Sequence, residues 1–243
     1  MCGRFTSITS PTEVASFFSA VEPNPNLFGD FAPNYNVAPT TRIMAIANDQ
    51  LGARRVGLFQ WGLIPSWAKV LPTSQPLINA RSETALEKPS FRESLPHRRC
   101  LIVVDGFFEW RTVGVADIKP PATKQPVYVT RRDGHLLALA GLWATWRDTS
   151  DPSPSPWLHS CCILTTSANP TMSPIHDRMP VILESRDWSA WLNTGSTSQP
   201  ATSMAEIVKL MKPADASILS ATPIGTAVNS IRNNSADLLL PVI

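Results

Sequence analysis

Short apolar runs broken by proline dominate this chain and limit what it can fold into. Arg42–Ala47, Arg55–Leu63, Cys100–Val104, Val127–Thr130, Leu136–Trp143, Ser160–Thr165 and Val181–Leu183 are each rich in branched or aromatic side chains. Such residues favour a pleated, half-buried backbone, and runs of this length predict strands. Asp133-Gly134 between two of them predicts a hairpin turn. Helical signals are fewer. Ser10-Pro11-Thr12-Glu13 combines a capping box with proline at the first helical position. Ser185 predicts a cap for a short helix carrying Trp188, Trp191 and Leu192, and Ser203 with Glu206 forms a second capping box ahead of Ile207, Leu210 and Met211. Strands that outnumber helices and do not alternate with them predict an α+β fold with largely antiparallel sheets.

A chain of 243 residues that is 43% hydrophobic can bury an ordinary core, and one domain spanning 1–243 is expected. Asp151-Pro-Ser-Pro-Ser-Pro156 predicts a stiff loop insertion rather than a linker, because strand-like segments lie on both sides. With 21 basic and 19 acidic residues, bulk charge does not argue for nucleic acid. Any such site must rest on a local groove. Arg54-Arg55, Arg98-Arg99 and Arg131-Arg132 are candidate contributors, with solvated surface as the alternative. The eight tryptophans suit a core, and also suit stacking on bases. Neither a charged-then-apolar leader nor a membrane-length apolar run is read, so a cytoplasmic protein with no membrane contact is expected.

The four cysteines, Cys2, Cys100, Cys161 and Cys162, form no CxxC pair and suit a reducing compartment. Cys161 and Cys162, adjacent in a strand, are expected on opposite faces. No metal and no cofactor are expected, because the histidines are dispersed and the cysteines lack zinc spacing. His159 with Cys161 and Cys162 is the nearest cluster and is expected in the core. His97, His135 and His159 all lack a catalytic context and are expected to be structural or on the surface.

Cys2 has a different chemical prospect. Removal of Met1, which a small second side chain permits, would expose a 1,2-aminothiol. Its amine condenses with an aldehyde to an imine, and its thiol closes a five-membered thiazolidine on the same carbon with the advantage of an intramolecular reactant. The alternative is a small buried hydrophobe. Three further segments place polar groups inside apolar runs. In Leu77–Glu83, Asn79 and Arg81 share a face if extended; a turn Asn and a surface Arg are the alternative. In Asp105–Trp110, Glu109 lies among aromatic residues, either partly desolvated for proton transfer or salt-bridged at a strand edge. In Ser173–Pro180, His176 sits in a proline-bounded loop beside Arg178, either as acid and base or as a structural ring.

Together these segments resemble the SOS-response-associated peptidase family, also described as abasic-site processing proteins. The resemblance runs through Met1-Cys2-Gly3-Arg4-Phe5, Tyr35-Asn36-Val37-Ala38-Pro39, Trp61-Gly62-Leu63-Ile64-Pro65-Ser66-Trp67, Asn79-Ala80-Arg81, Arg99-Cys100-Leu101, Gly106-Phe107-Phe108-Glu109-Trp110, Ala140-Gly141-Leu142-Trp143 and Ile175–Pro180. Phe108 departs from the family's usual tyrosine. The resemblance implies a distorted barrel-like core of antiparallel sheets flanked by a few short helices. It also implies capture of abasic sites in single-stranded DNA as a thiazolidine crosslink through Cys2, with Asn79, Glu109 and His176 as the other catalytic residues. Arg4, Arg81 and Arg178 are implied to bind phosphates, and Trp61 and Trp67 to stack on or wedge against bases. The protein is expected to act as a monomer, associated with the nucleoid if bacterial. Competing expectations are a cysteine peptidase, autoproteolytic or general, using Cys2 and His176, and a non-covalent reader of single strands or modified bases.

Overall fold

The computed structural model describes residues 2–71, 75–114, 123–148, 156–196 and 199–242. Two sheets make up most of it. The first comprises β1 (Phe5–Ser7), β2 (Asn34–Val37), β7 (Gly106–Val113), β8 (Thr123–Arg131) and β12 (Leu219–Pro223), in the order β12-β8-β7-β1-β2 with every pair antiparallel. The second contains β3 (Arg42–Asn48), β4 (Arg54–Trp61), β6 (Arg99–Val104), β9 (Leu137–Trp146) and β10 (Leu158–Ser167). Its path β10-β4-β3-β6-β9 returns to β10 and closes a five-stranded barrel, in which only β10–β4 is parallel. Closure removes the free edges that an open sheet would leave to aggregate. Two short strands extend β10: β5 (Asn79–Arg81), parallel to Ile163–Thr165, and β11 (Arg178–Pro180), antiparallel to Thr165–Ser167.

Period-2 alternation gives the barrel strands two buried faces. Met44, Ile46, Leu101, Val103, Leu142, Cys162 and Leu164 pack with the helices α1 (Pro11–Phe17), α3 (Ser94–His97), α4 (Ser185–Leu192) and α5 (Met204–Leu210). The intervening residues, Ile43, Ala45, Cys100, Ile102, Cys161 and Ile163 among them, pack with Phe5, Phe107, Val127 and Val129 of the first sheet. Cys161 and Cys162 therefore serve opposite faces, as the alternation requires, and all four cysteines are free and buried.

Both capping boxes are present, at Ser10/Glu13 and Ser203/Glu206. Other local expectations shift or fail. Glu184, not Ser185, occupies the cap position of α4. The strand expected over Arg55–Leu63 stops at Trp61, because Gly62 turns at φ +133°, a conformation L side chains avoid. Where Val181–Leu183 was expected to be a strand, β11 lies three residues earlier, and Ile182 makes one isolated bridge to Leu139. Asp133-Gly134 does form a turn, but not a hairpin: β8 and β9 on its two sides belong to different sheets. The turn dipeptide fixes a local reversal and cannot decide which strands pair. Short helix α2 (Pro25–Phe28) was unforeseen. Apart from Pro156, the Asp151–Pro156 loop lies outside the described residues.

Candidate active site

Three separated segments come together here: the N-terminus with Cys2, β5 with Asn79 and β7 with Glu109. The strand β1 pairs with β7 through Phe5 opposite Phe107, and the amide of Phe108 donates to the Arg4 carbonyl at 2.9 Å, so the ladder extends towards the terminus. Cys2 is fully buried in the apolar cluster that holds Phe5, Phe107 and Trp61. Asn79, at the start of β5 and opposite Ile163, reaches it directly: Nδ2 donates to the Cys2 carbonyl at 2.9 Å. A carbonyl can only accept, so this bond fixes which end of the amide is which. Asn79 Oδ1 is then the other end, buried and, among the described residues, without a hydrogen-bond partner. A buried acceptor left in that state costs stability, which marks it as a position awaiting a donor.

Glu109, on β7, is buried. It lies near enough to Cys2 to act on the thiol electrostatically. Burial first, and the Glu109 charge second, push the Cys2 thiol well above the ordinary cysteine value. The group is thus a neutral thiol at neutral pH, and its proton must leave as the sulfur attacks.

His176 occupies the loop before β11, at the end of β10 adjoining β5. Asn169 ties this loop down: its Oδ1 accepts from the Met172 amide and its Nδ2 donates to the Ala214 carbonyl. The His176 amide donates to Met172 O, and its ring Nδ1 accepts from the Arg178 amide at 2.9 Å. Asp177 Oδ1 also lies 2.7 Å from Nδ1. The two contacts require opposite protonation of that nitrogen. With the Arg178 amide on Nδ1 the ring proton is at Nε2; with both nitrogens protonated, Nδ1 pairs with Asp177, and Nε2 still carries a proton.

The residues that converge on Cys2 come from motifs matched along nearly the whole chain: the family model described as SOS response associated peptidase (SRAP) covers residues 1–231. The chain belongs to the SRAP family. It is 41% identical over 239 residues to the abasic site processing protein YoaM of Bacillus subtilis, covering 98% of this chain and 97% of that one. It is 29% identical over 243 residues to the abasic site processing protein YedK of Escherichia coli, covering 100% of each. Among solved structures, a protein from Bacteroides thetaiotaomicron superposes with a TM-score of 0.82 at 27% identity, covering 100% of both chains.

The remaining expected residues are dispersed around this SRAP site. Arg81 is exposed on β5, two residues from Asn79 and so on the same side. Trp67 is 58% exposed. Trp61, expected to stack on bases, is instead fully buried: its ring lies 4.8 Å from that of Phe5, and its Nε1 donates to the Ile78 carbonyl. It braces β1 and the residue before Asn79 together, and no base can reach its face. Arg178, expected on a phosphate, is engaged by Glu83 through both terminal nitrogens and by the Thr165 carbonyl. Arg4 donates to Asn36 Oδ1 and to the Val228 carbonyl and lies over the Trp110 ring. Trp110 packs with Phe108 and Val228, so the Arg4 guanidinium is on the opposite face of β7 from Glu109. Arg99, read as a candidate for a surface groove, is 1% exposed. His159, expected in the core, is exposed at the start of β10, against Trp143 and Phe59. His97 and His135 are also exposed.

Sequence reasoning passed over Asn36 and Arg111. Asn36 is buried; besides receiving Arg4 it donates to the carbonyls of Val228, Ser230 and Asn233, locking the C-terminal segment to β2. No local pattern marks such a role. Arg111 follows Glu109 by two residues, and the strand period alone places it on the same face.

Proposed function

We propose that this protein captures abasic sites in single-stranded DNA as a covalent thiazolidine through Cys2 once Met1 has been removed. The reading is supported chiefly by the contact between Asn79 and Cys2: the amide holds the backbone of the residue that bears both nucleophiles, while its unpartnered Oδ1 remains beside them. The names of the relatives point to the same lesion.

The chemistry follows from the groups present. An abasic deoxyribose opens to an aldehyde at C1′. His176 in its protonated form donates from Nε2 to the ring oxygen as the C1′–O bond breaks, and the C1′ hydroxyl gives up its proton to restore the ring. The free α-amine of Cys2, with a reference pKa of about 7.7–8.0, is partly neutral at neutral pH and adds to C1′. Loss of water gives the imine. The thiol then adds to the imine carbon, its proton passing through Glu109 to the nitrogen, and the ring closes. One C–N and one C–S bond form, and one water leaves overall. Asn79 Oδ1 accepts from the Cys2 amine or a sugar hydroxyl during these steps.

A buried thiol raised above its ordinary pKa is the reverse of what a cysteine peptidase needs, where a neighbouring cation lowers the thiol to give a standing thiolate. In the proposed reaction the thiol is needed only after the imine has formed on the adjacent nitrogen, when proximity compensates for weak ionisation.

The test is incubation with a single-stranded oligonucleotide carrying one abasic site, read by denaturing electrophoresis and intact mass. The expected adduct has the mass of protein lacking Met1 plus DNA minus one water. Cys2→Ala abolishes it, and Cys2→Ser leaves at most an imine that borohydride traps. An equal yield from Cys2→Ala, or an adduct on protein that retains Met1, overturns the reading.

A further inference from the structure

We propose that Arg111 is the site's phosphate-binding arginine on the Glu109 side, gripping a backbone phosphodiester next to the abasic nucleotide. This rests on the reading above and adds a residue to it. The pairing of β7 with β8 runs without a break from Phe107 opposite Val129 to Val113 opposite Thr123. Phe107, Glu109 and Arg111 therefore share one face, with Arg111 about 6.8 Å along the strand from Glu109. Phe107 lies in the cluster that contains Cys2, so this is the face turned towards the site.

Among the described residues the Arg111 side chain makes no hydrogen bond or ion pair; its Nε is closed off from solvent, as are those of Arg4 and Arg178, but its terminal nitrogens are not. A guanidinium with no acceptor of its own, on the face of the site, is available to an incoming anion. The two accessible terminal N–H groups form a planar fork whose spacing matches two oxygens of a phosphate. Arg4 and Arg178 are less free to do this. Arg4 is held on the far face by Asn36 and Val228, and Arg178 is engaged by Glu83 and Thr165. A strand whose damaged sugar lies at Cys2 would pass Glu109, and Arg111 stands one pleat further along.

The experiment uses the full chain and a set of single-stranded abasic oligonucleotides, each with one phosphate flanking the lesion replaced by a neutral methylphosphonate. For Arg111→Gln, binding before crosslinking weakens about tenfold at low salt. The slope of log affinity against log salt falls by about 0.7, the value for one phosphate contact on a single strand. The loss disappears on the one oligonucleotide whose methylphosphonate replaces the gripped phosphate. Arg111→Lys, which keeps the charge without the fork, loses less and guards against misreading a folding defect, which circular-dichroism melting would also reveal. Unchanged affinity and slope in Arg111→Gln, or an equal loss on every oligonucleotide, overturns the assignment while leaving capture by Cys2 intact. Failure of the unsubstituted protein to bind or capture abasic single strands sinks the functional reading and this site with it.

Discussion

At the scale of single residues, two tryptophans in one motif have opposite duties. Trp61 and Trp67 lie six positions apart, yet one is sealed between Phe5 and Ile78 and the other stands largely in solvent. Trp61→Ala is expected to cost about 3–5 kcal/mol, since a large buried ring is lost and Phe5 and β5 lose their common support. Urea unfolding measures this. Trp67→Ala is expected to leave stability within about 0.5 kcal/mol of the parent, as for most surface substitutions. A stability loss of the same size for both would contradict the burial. The tryptophan spacing was legible in the chain, but which ring faces outwards was not. That depends on the path of the chain beyond Gly62, whose left-handed turn ends β4 after Trp61, with Leu63 and Ile64 still buried and Trp67 beyond them in solvent.

At the scale of elements, helix ends show how far local signals carry. The two capping boxes are complete within four residues and formed as read. Arg99 closes two other helix ends by a long-range route. Its guanidinium donates to the carbonyls of Leu95 and Pro96 in α3 and to those of Trp191 and Asn193 at the end of α4. Burial pulls this arginine down to about 10, still far above neutral pH, so it stays charged and serves helix ends that carry partial negative charge. Arg99→Met is expected to destabilise the fold by about 3 kcal/mol or more, because orphaned carbonyls are left in a dry interior. Arg99→Lys recovers little of this, since one ammonium cannot copy the fork. Thermal melting of the three proteins checks the order. An adjacent pair of arginines reads as surface in the chain, because nothing local to Arg98-Arg99 announces that α4, some ninety residues later, docks there.

At the scale of the whole molecule, four buried thiols and one half-buried phenol set an alkaline limit. Burial pushes the thiols of Cys2, Cys100, Cys161 and Cys162 and the hydroxyl of Tyr128 above their ordinary values, Cys162 and Tyr128 to about 12. Between the ordinary values, 9.0 for cysteine and 10.0 for tyrosine, and the raised ones, the unfolded chain has released protons that the folded chain keeps. With fewer protons bound in the unfolded state, stability falls as pH rises. The contribution is intact below about pH 9 and is lost progressively above it. Arg4, Arg54 and Arg99, lowered by burial, act in the opposite direction, but they are three groups against five. Denaturant midpoints from pH 8 to 11 are expected to decline. A flat profile would mean that these groups titrate alike in both states.

The chain by itself determined what depends on neighbours in sequence: the strand-rich α+β class, the capping boxes, the opposed faces of Cys161 and Cys162, and the motifs that place it among its relatives. Such features are set by side-chain period, by caps and by turn residues within a few positions. Only the tertiary structure decided the closure of the barrel through β9 and β10, the separation of β8 from β9, the burial of Trp61 and Arg99, and the side of β7 on which each arginine lies. Those outcomes are settled by pairings between distant segments. A strand's alternation says that two faces differ, but which face turns inwards is chosen by the partner that covers it.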